Sequence, residues 1–144
     1  MNLYHDLLLD HYRHPRGKGR ISHAHFSSGH YNPSCGDTVL IYGTLDDPRV
    51  NIAALGFEGS GCVISQATAS LLVSTYASRS VDEVLALQSS DVCSLIGMQL
   101  GPNRLGCALL PLQALQEGLK SLLKKDKADA RSNEISSSAP SSQQ

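Results

Sequence analysis

The sequence predicts an α+β fold, with a three-stranded antiparallel sheet packed against a set of helices. Residues 38–44 are rich in β-branched side chains, residues 50–57 are largely apolar, and the polar run 46–48 between them predicts a hairpin. After Cys62 the apolar residues recur at helical spacing as far as about residue 124. Because strands come first and helices follow, the order favours α+β over alternating α/β.

An initial helix is predicted over residues 3–14, where leucines recur at helical spacing until Pro15 ends the run. Residues 20–31 are predicted to be extended and to supply the third strand of the sheet. His23 and His25 would share one face of that strand, where they could bind a metal ion. Ordinary surface histidines are the commoner explanation for such a pair.

Four further helices are predicted after the sheet, over residues 63–78, 81–87, 91–97 and 104–124. Ser80 caps the second of them, with Glu83 at the capping-box position. The last carries a stripe of leucines, and Pro111 should lie in its first turn or bend it. Residues 1–124 are therefore predicted to form one domain. The polar residues 125–144 have almost nothing to bury and are predicted to be a disordered tail.

The composition argues against two classes of partner. The net charge is -1 and the chain has 2 Phe, 5 Tyr and no Trp, so it offers neither a strong field nor stacking platforms for nucleic acid. No apolar run approaches the ~20 residues of a membrane span, and the first residues lack the basic region of a signal peptide. A cytoplasmic protein is predicted, in which reduced thiols favour metal binding or catalysis over disulfides.

Three of the four cysteines stand next to glycine, in the segments Asn-Pro-Ser-Cys-Gly-Asp (32–37), Gly-Ser-Gly-Cys (59–62) and Arg-Leu-Gly-Cys (104–107). Cys35 and Asp37 are two positions apart, so on an extended backbone both side chains point to one face. Cys62 would begin a helix, where the helix dipole stabilises a thiolate. Cys107 would lie in the first turn of the last helix, with Arg104 three residues before it.

Three thiolates and one carboxylate supply four ligands, which suits tetrahedral Zn²⁺ or the iron of an iron–sulfur cluster. A hard carboxylate oxygen is the weaker partner for a soft cluster, so Asp37 would keep a bound cluster labile. The spacing contains no Cys-x-x-Cys pair, and three buried apolar cysteines without a shared site remain the alternative. Cys93 has no glycine beside it and is predicted to be structural, on a helix face.

The three cysteine segments, in this order, resemble the IscU/SufU/NifU N-terminal family of iron–sulfur cluster assembly proteins. The matching segments are Asn-Pro-Ser-Cys-Gly-Asp (32–37), Gly-Ser-Gly-Cys-Val-Ile-Ser-Gln-Ala-Thr-Ala-Ser (59–70) and Arg-Leu-Gly-Cys-Ala-Leu-Leu-Pro-Leu (104–112). The opening helix, through Gly17, is similar to that of the family as well. The resemblance covers about residues 3–124 and implies the α+β fold with a three-stranded antiparallel sheet.

The resemblance implies a protein that accepts persulfide sulfur from a cysteine desulfurase, and it favours a scaffold or carrier over an enzyme. Such a scaffold holds a transient [2Fe–2S] cluster and passes it to recipient apo-proteins. The resemblance implies Cys35, Asp37, Cys62 and Cys107 as ligands of the iron or cluster, and Cys107 as the persulfide acceptor. In SufU-like members Zn²⁺ occupies these ligands, which makes a zinc-dependent sulfurtransferase the first alternative. A structural zinc module that binds a protein partner is the second.

The sequence departs from the family pattern in two places. Gly106 stands where IscU-like members have His, and residues 100–104 keep only the leucine and one proline of the chaperone-docking segment, which argues against a dedicated chaperone as partner. The motifs are closer to SufU, yet the insertion that SufU-like members carry before the third cysteine is missing. His30 and Glu58 flank the motifs and are candidates to support the site, although solvated side chains are the commoner case.

Overall fold

The structure is a computed structural model that describes residues 3–34 and 36–138, with side-chain detail between residues 6 and 128. Its elements are α1 Leu3–Arg13, β1 Phe26–Asn32, β2 Asp37–Leu45, β3 Ile52–Ser60, α2 Val63–Tyr76, α3 Val81–Leu85, α4 Ser89–Ile96 and α5 Pro102–Ser138. The predicted α+β fold with a three-stranded antiparallel sheet is confirmed. No helix in the described part of the chain is long and apolar enough to cross a membrane.

The sheet has the strand order β1-β2-β3, and both strand pairs are antiparallel. Asn32 pairs with Asp37 across the turn between β1 and β2, and Thr38 pairs with Ser60 at the end of β3. The start of β2 and the end of β3 therefore lie at the same end of the sheet. Cys35 belongs to that turn but lies outside the described residues, so its predicted position beside Asp37 stays a prediction.

Two apolar clusters hold the layers together. Alternate residues of β2, among them Val39 and Ile41, are fully buried against α2 and α5, because successive side chains of a strand point to opposite faces. A second cluster joins α1 to α2 and α4 through Leu8, Leu72 and Ile96. Each such buried side chain contributes roughly 1.5–3 kcal/mol to stability. Together the clusters fix the positions of α2 and α5 relative to the sheet.

The first strand is shorter than predicted, and the expected histidine pair does not form. β1 begins only at Phe26, and residues 17–19 instead run beside β3, hydrogen-bonded to both backbone groups of Phe57. His23 has a left-handed backbone with φ 59°, and His25 lies before the strand, where its Nδ1 accepts a backbone N–H of β2 at 2.9 Å. The prediction that these two residues share a strand face is therefore wrong, and the possible metal pair that depended on it has no support, which leaves the commoner explanation of ordinary histidines.

The last helix is longer than predicted. α5 begins at Pro102 and continues to Ser138, well beyond its predicted end. The Arg49 guanidinium contacts the Asp126 carboxylate at 3.1 Å, which holds this part of the helix to the hairpin between β2 and β3. The division of the chain into a domain and a disordered tail after residue 124 stays a prediction. Residues 139–144 of that tail lie outside the described part of the chain.

The helices before α5 agree more closely with the predicted pattern. Ser80 is the N-cap of α3, and its hydroxyl accepts the Glu83 N–H at 3.1 Å. The Glu83 carboxylate pairs with Arg79 and does not complete the predicted capping box. Cys62 is the N-cap of α2, as predicted. Pro111 lies in the interior of α5 and not in its first turn, because the helix begins earlier than predicted. Pro102 occupies the first helical position, where its missing N–H costs nothing.

His11 is a buried polar residue that joins α1 to α2. Its Nδ1 lies 2.7 Å from the Ser70 hydroxyl. The same hydroxyl accepts the Arg16 backbone N–H at 2.8 Å. One serine of α2 therefore hydrogen-bonds both α1 and the segment that follows it. Because burial disfavours the charged imidazolium, the pKa of His11 is lowered from its ordinary value.

Acidification is expected to weaken the fold through His11. Since the pKa of His11 is lowered in the folded protein, the unfolded chain binds this proton more readily, and stability falls as the pH drops below the ordinary value of 6.5. Urea unfolding at about pH 7 and about pH 5.5 should show this loss, with a slope of at most about 1.4 kcal/mol per pH unit from one group. His11→Gln should flatten the dependence, and an unchanged slope would contradict the assignment.

Candidate metal centre

Three side chains from distant segments converge at the end of the sheet where β2 starts. Asp37 is the first residue of β2, Cys62 is the N-cap of α2, and Cys107 belongs to α5. One ligand atom of each lies within 4.8 Å of the others, and no second group of three such residues occurs in the described part of the chain. Three of the four predicted ligands are therefore close together. The fourth, Cys35, lies outside the described residues.

The Asp37 carboxylate is fully buried and holds Cys62 with both of its oxygens. Oδ1 accepts the Cys62 backbone N–H at 2.8 Å, and Oδ2 accepts the thiol of the same residue at 3.0 Å. A buried carboxylate is costly unless its oxygens are hydrogen-bonded, so these two contacts stabilise Asp37 in the interior. They also keep a sulfur and a carboxylate oxygen side by side, as two ligands of one ion require.

Cys62 lies at the positive end of α2. Its sulfur accepts the Ser65 N–H at 3.5 Å, which is the usual contact of an N-cap side chain. The N–H groups and the dipole at this end of a helix stabilise the negative charge of a thiolate ligand. Cys62 is half-buried whereas Cys107 is only 7% exposed, so Cys62 is the more accessible of the two sulfurs.

Gly61 makes room for the Asp37 carboxylate, a role that sequence reasoning missed. Its φ is 140°, in the region that favours glycine, and a Cβ added there would lie 2.2 Å from the Asp37 Oδ1. No side chain fits at that distance, so the position directly before Cys62 must lack one while Asp37 stays in place. A glycine beside each ligand cysteine was visible in the sequence, but only the fold identifies the atom that this glycine accommodates.

Cys62 and Cys107 both line an open pocket of about 340 Å³. Ser34, Asn103 and Arg104 supply its polar lining, so an arginine lines the same pocket as the two cysteines. Cys107 was predicted in the first turn of the last helix, but α5 begins earlier than expected and Cys107 lies in its second turn. Both sulfurs can therefore be reached from one side of the molecule.

Asn32 holds the turn between β1 and β2 and lies close to the start of α5. Its Oδ1 accepts the Ser34 N–H at 3.0 Å, and its backbone oxygen accepts the Gly36 N–H at 2.8 Å. Its Nδ2 lies 3.5 Å from the position that a Cβ would take on Gly106. The turn is thus held by its own first residue and lies against the part of α5 that precedes Cys107.

Three other residues singled out by the sequence have partners or positions of their own. Cys93 lies half-buried on α4, beside a surface groove, in the helix-face position predicted for it. Glu58 accepts the Tyr42 hydroxyl at 2.5 Å. His30, on β1, contacts the Glu117 carboxylate of α5. Glu58 and His30 therefore stabilise packing between elements, and no described contact links them to Asp37, Cys62 or Cys107.

The donor set suits one metal ion of borderline softness. Zn–S bonds of about 2.3 Å place two sulfurs of a tetrahedral Zn²⁺ site about 3.8 Å apart. The three donors lie within 4.8 Å of one another, so a small closure brings them to that distance. Thiols with a carboxylate are also the ligand types of a labile iron–sulfur site. Metal binding deprotonates both thiols, so the hydrogen bond from the Cys62 thiol to Asp37 must then be given up.

Comparison with known proteins agrees with the motifs. The chain matches the NifU-like N terminal domain over residues 3–129. It is 30% identical over 134 residues to the zinc-dependent sulfurtransferase SufU of Bacillus subtilis (strain 168), across 81% of this chain and 89% of that protein. It is 29% identical over 136 residues to the iron–sulfur cluster assembly scaffold protein IscU of Thermotoga maritima, across 83% of this chain and 94% of that protein.

Two solved structures share the architecture. A protein of Fervidobacterium islandicum AW-1, described as a scaffold of the SUF system, aligns with a TM-score of 0.63 at 25% identity, across 79% of this chain and 94% of that one. The N-terminal NifU-like protein of Brucella abortus aligns with a TM-score of 0.68 at 16% identity, across 85% and 96%, and shows the likeness of fold alone. The resemblance inferred from the cysteine motifs is confirmed, and the chain belongs to the family of NifU-like N-terminal domains.

Proposed function

We propose that this protein is a scaffold for iron–sulfur cluster assembly. It receives sulfur from a cysteine desulfurase, holds a transient [2Fe–2S] cluster on Cys35, Asp37, Cys62 and Cys107, and passes the cluster to recipient apo-proteins. The observation that carries the proposal is the convergence of two thiols and a buried carboxylate, from three separate segments, within 4.8 Å. The relatives named as assembly scaffolds support the same assignment.

The carboxylate is the feature that suits a carrier rather than a permanent cluster protein. Stable clusters are usually held by four thiolates, and a hard oxygen donor binds the soft cluster less strongly. Asp37 also accepts the N–H and the thiol of Cys62. When a cluster leaves, the same two oxygens can return to Cys62, and this stabilises the released state relative to the loaded one.

Cys107 is the proposed sulfur acceptor. Its thiolate attacks the outer sulfur of the desulfurase persulfide, a new S–S bond forms as the donor S–S bond breaks, and the donor cysteine leaves as a thiolate. Although Cys107 is only 7% exposed, it lines the open pocket that it shares with Cys62. The donor cysteine therefore has to enter this pocket for transfer to occur.

Cys107→Ser is expected to lower sulfur uptake from a cysteine desulfurase by about tenfold or more, because the attacking thiolate is lost. Persulfide on the protein is counted by mass spectrometry after incubation with desulfurase and L-cysteine. Cys93→Ser is the matched control, since it removes a half-buried thiol from α4, and it should keep full uptake. Equal uptake by both variants would count against Cys107, and loss in Cys62→Ser alone would transfer the role to Cys62.

A zinc-dependent sulfurtransferase is the second candidate. It is favoured by the 30% identity to the Bacillus subtilis SufU and by donors close enough for one Zn²⁺. Anaerobic reconstitution with iron and sulfide, read by visible absorption, separates the two functions. Uptake of a coloured cluster supports the scaffold, whereas a protein that retains zinc and takes up no cluster supports the sulfurtransferase. Unfolding on chelation without any persulfide would indicate a structural zinc module.

The proposed partners are a cysteine desulfurase and recipient apo-proteins, in the cytoplasm. Neither nucleic acid nor a membrane is proposed, since the net charge of -1 provides no attraction for either. A dedicated chaperone is not proposed, because residues 100–104 keep little of the expected docking segment. Recipient proteins are expected to approach the side of the molecule on which Cys62 and Cys107 are accessible.

A further inference from the structure

The Cys62 and Cys107 sulfurs are close enough to react with one another. Cys62 is the N-cap of α2 and Cys107 belongs to α5, and their sulfur atoms lie within 4.8 Å of each other. A disulfide bond is about 2.0 Å long, so the two sulfurs must approach further before a bond can form. Rotation of a cysteine side chain between staggered rotamers moves its sulfur over a distance of this order.

The surroundings of Cys107 favour a reaction partner from within the protein. Cys107 is only 7% exposed, so a thiol from solvent has little access to its Sγ. Cys62 is half-buried and lines the same pocket of about 340 Å³. Cys93 lies on α4 and lines a different groove. Among the described cysteines, Cys62 is therefore the one placed to attack a persulfide carried by Cys107.

Asp37 supports Cys62 as an attacking group. Its Oδ2 accepts the Cys62 thiol at 3.0 Å, and its Oδ1 accepts the backbone N–H of the same residue at 2.8 Å. A thiol becomes a better nucleophile when an adjacent base can take its proton. The N–H groups at the start of α2 stabilise the negative charge that remains on the sulfur. The contacts that suit Cys62 as a ligand thus also suit it for attack.

We propose that Cys62 cleaves the persulfide on Cys107 and releases its outer sulfur as sulfide. The inference rests on the proposed function, in which Cys107 accepts sulfur from a desulfurase. It matters to that function because the inorganic sulfur of a cluster is sulfide, whereas the sulfur delivered as a persulfide is two electrons more oxidised. Cys62 is then a second catalytic residue of sulfur transfer, besides being a proposed ligand.

The step balances without any further reactant. The Cys62 sulfur attacks the Cys107 Sγ, and an S–S bond forms between them as the bond from Cys107 to the outer sulfur breaks. The outer sulfur leaves as hydrosulfide with the proton of the Cys62 thiol, which passes through the Asp37 Oδ2. The two cysteine sulfurs supply the two electrons that reduce the outer sulfur and become a disulfide. A dithiol reductant is needed only to reopen this disulfide before the next round.

The test follows a persulfide on the full-length, metal-free protein under anaerobic conditions. Persulfide is loaded with a cysteine desulfurase and L-cysteine, and in a parallel sample with inorganic polysulfide, and the excess reagent is removed by gel filtration. Sulfide released afterwards is measured by colour formation, and the Cys62–Cys107 disulfide is identified by mass spectrometry of non-reduced peptides. We expect about one sulfide for each intramolecular disulfide, because one attack yields one of each.

Cys62→Ser should keep its persulfide on Cys107 and release sulfide at least about tenfold more slowly than the parent. Serine is a preferred N-cap, so this variant retains a cap on α2. Cys93→Ser is the matched control and should release sulfide as the parent does. Equal release by the parent and Cys62→Ser, or release without an intramolecular disulfide, would overturn the inference.

Two further outcomes separate this inference from its alternatives. If Cys35→Ser keeps the persulfide and Cys62→Ser does not, the attacking thiol is Cys35 and the inference is overturned. If polysulfide loads the persulfide on Cys107 but the desulfurase does not, the proposed function fails. Sulfide release from the polysulfide-loaded protein then still decides whether Cys62 cleaves the persulfide.

Discussion

Replacing Gly61 with alanine is expected to lower the free energy of unfolding by about 3 kcal/mol and to abolish tight metal binding. The backbone of Gly61 has φ 140°, which L-residues rarely adopt, and the new Cβ would lie 2.2 Å from the Asp37 Oδ1. The Asp37 side chain cannot move aside easily, because it is fully buried and both of its oxygens accept hydrogen bonds from Cys62. The substitution therefore separates a carboxylate from a thiol, and each is a proposed ligand.

Gly36→Ala is the matched control for this variant. Gly36 also has a positive φ, of 73°, but a Cβ there meets nothing within 4 Å. Gly36→Ala should therefore lower the free energy of unfolding only by the backbone strain, about 1 kcal/mol. Urea unfolding of the metal-free protein measures this loss. If the two alanine variants lose the same stability, the contact with Asp37 is not what requires glycine at position 61. The zinc affinity of Gly61→Ala, measured by competition with a chelator, tests the second expected effect, which is the loss of tight metal binding.

The sheet and most helices were predictable because their signals are local. Alternating apolar residues on β2 and a polar turn after it specify a hairpin without any distant contact. Ser80 before α3 is an equally local signal, and it caps that helix as predicted. β1 began later than predicted because residues 17–19 are drawn to the edge of β3 by hydrogen bonds to Phe57, a long-range contact that no local pattern contains.

The candidate metal centre was predictable in its residue types but not in its internal contacts. Glycine beside three of the four cysteines, and a carboxylate near Cys35, marked the candidates in the sequence. The bonds from Cys62 to Asp37, and the need for Gly61 between them, arise because β2 and the start of α2 meet at one end of the sheet. The contacts of the buried Gln66 side chain could not be predicted for the same reason, since its Nε2 donates to the Thr38 backbone oxygen only because α2 packs on the sheet.

Asp37→Ala is expected to lengthen the lifetime of a reconstituted cluster several-fold while making the metal-free protein less stable. The longer lifetime follows because the released state loses the two hydrogen bonds from Cys62 to Asp37 that favour it over the loaded state. The lower stability follows because the Cys62 N–H and thiol lose their acceptor in a buried place, at a cost of about 1–3 kcal/mol. Decay of visible absorption under a chelator measures the first effect, and urea unfolding of the metal-free protein measures the second.

Cluster lifetime is expected to rise and the stability of the metal-free protein to fall, so Asp37→Ala distinguishes a role of Asp37 in cluster release from a role in positioning Cys62. If the carboxylate served only to position Cys62, its loss would loosen that ligand and shorten the lifetime of the cluster. Asp46→Ala is the control, because Asp46 also holds a loop, through the N–H groups of Val50 and Asn51 at 2.9 Å each, but at the hairpin between β2 and β3. It should lower stability and leave the cluster lifetime unchanged. A longer lifetime confined to Asp37→Ala would identify the carboxylate as the ligand that makes the bound cluster transferable.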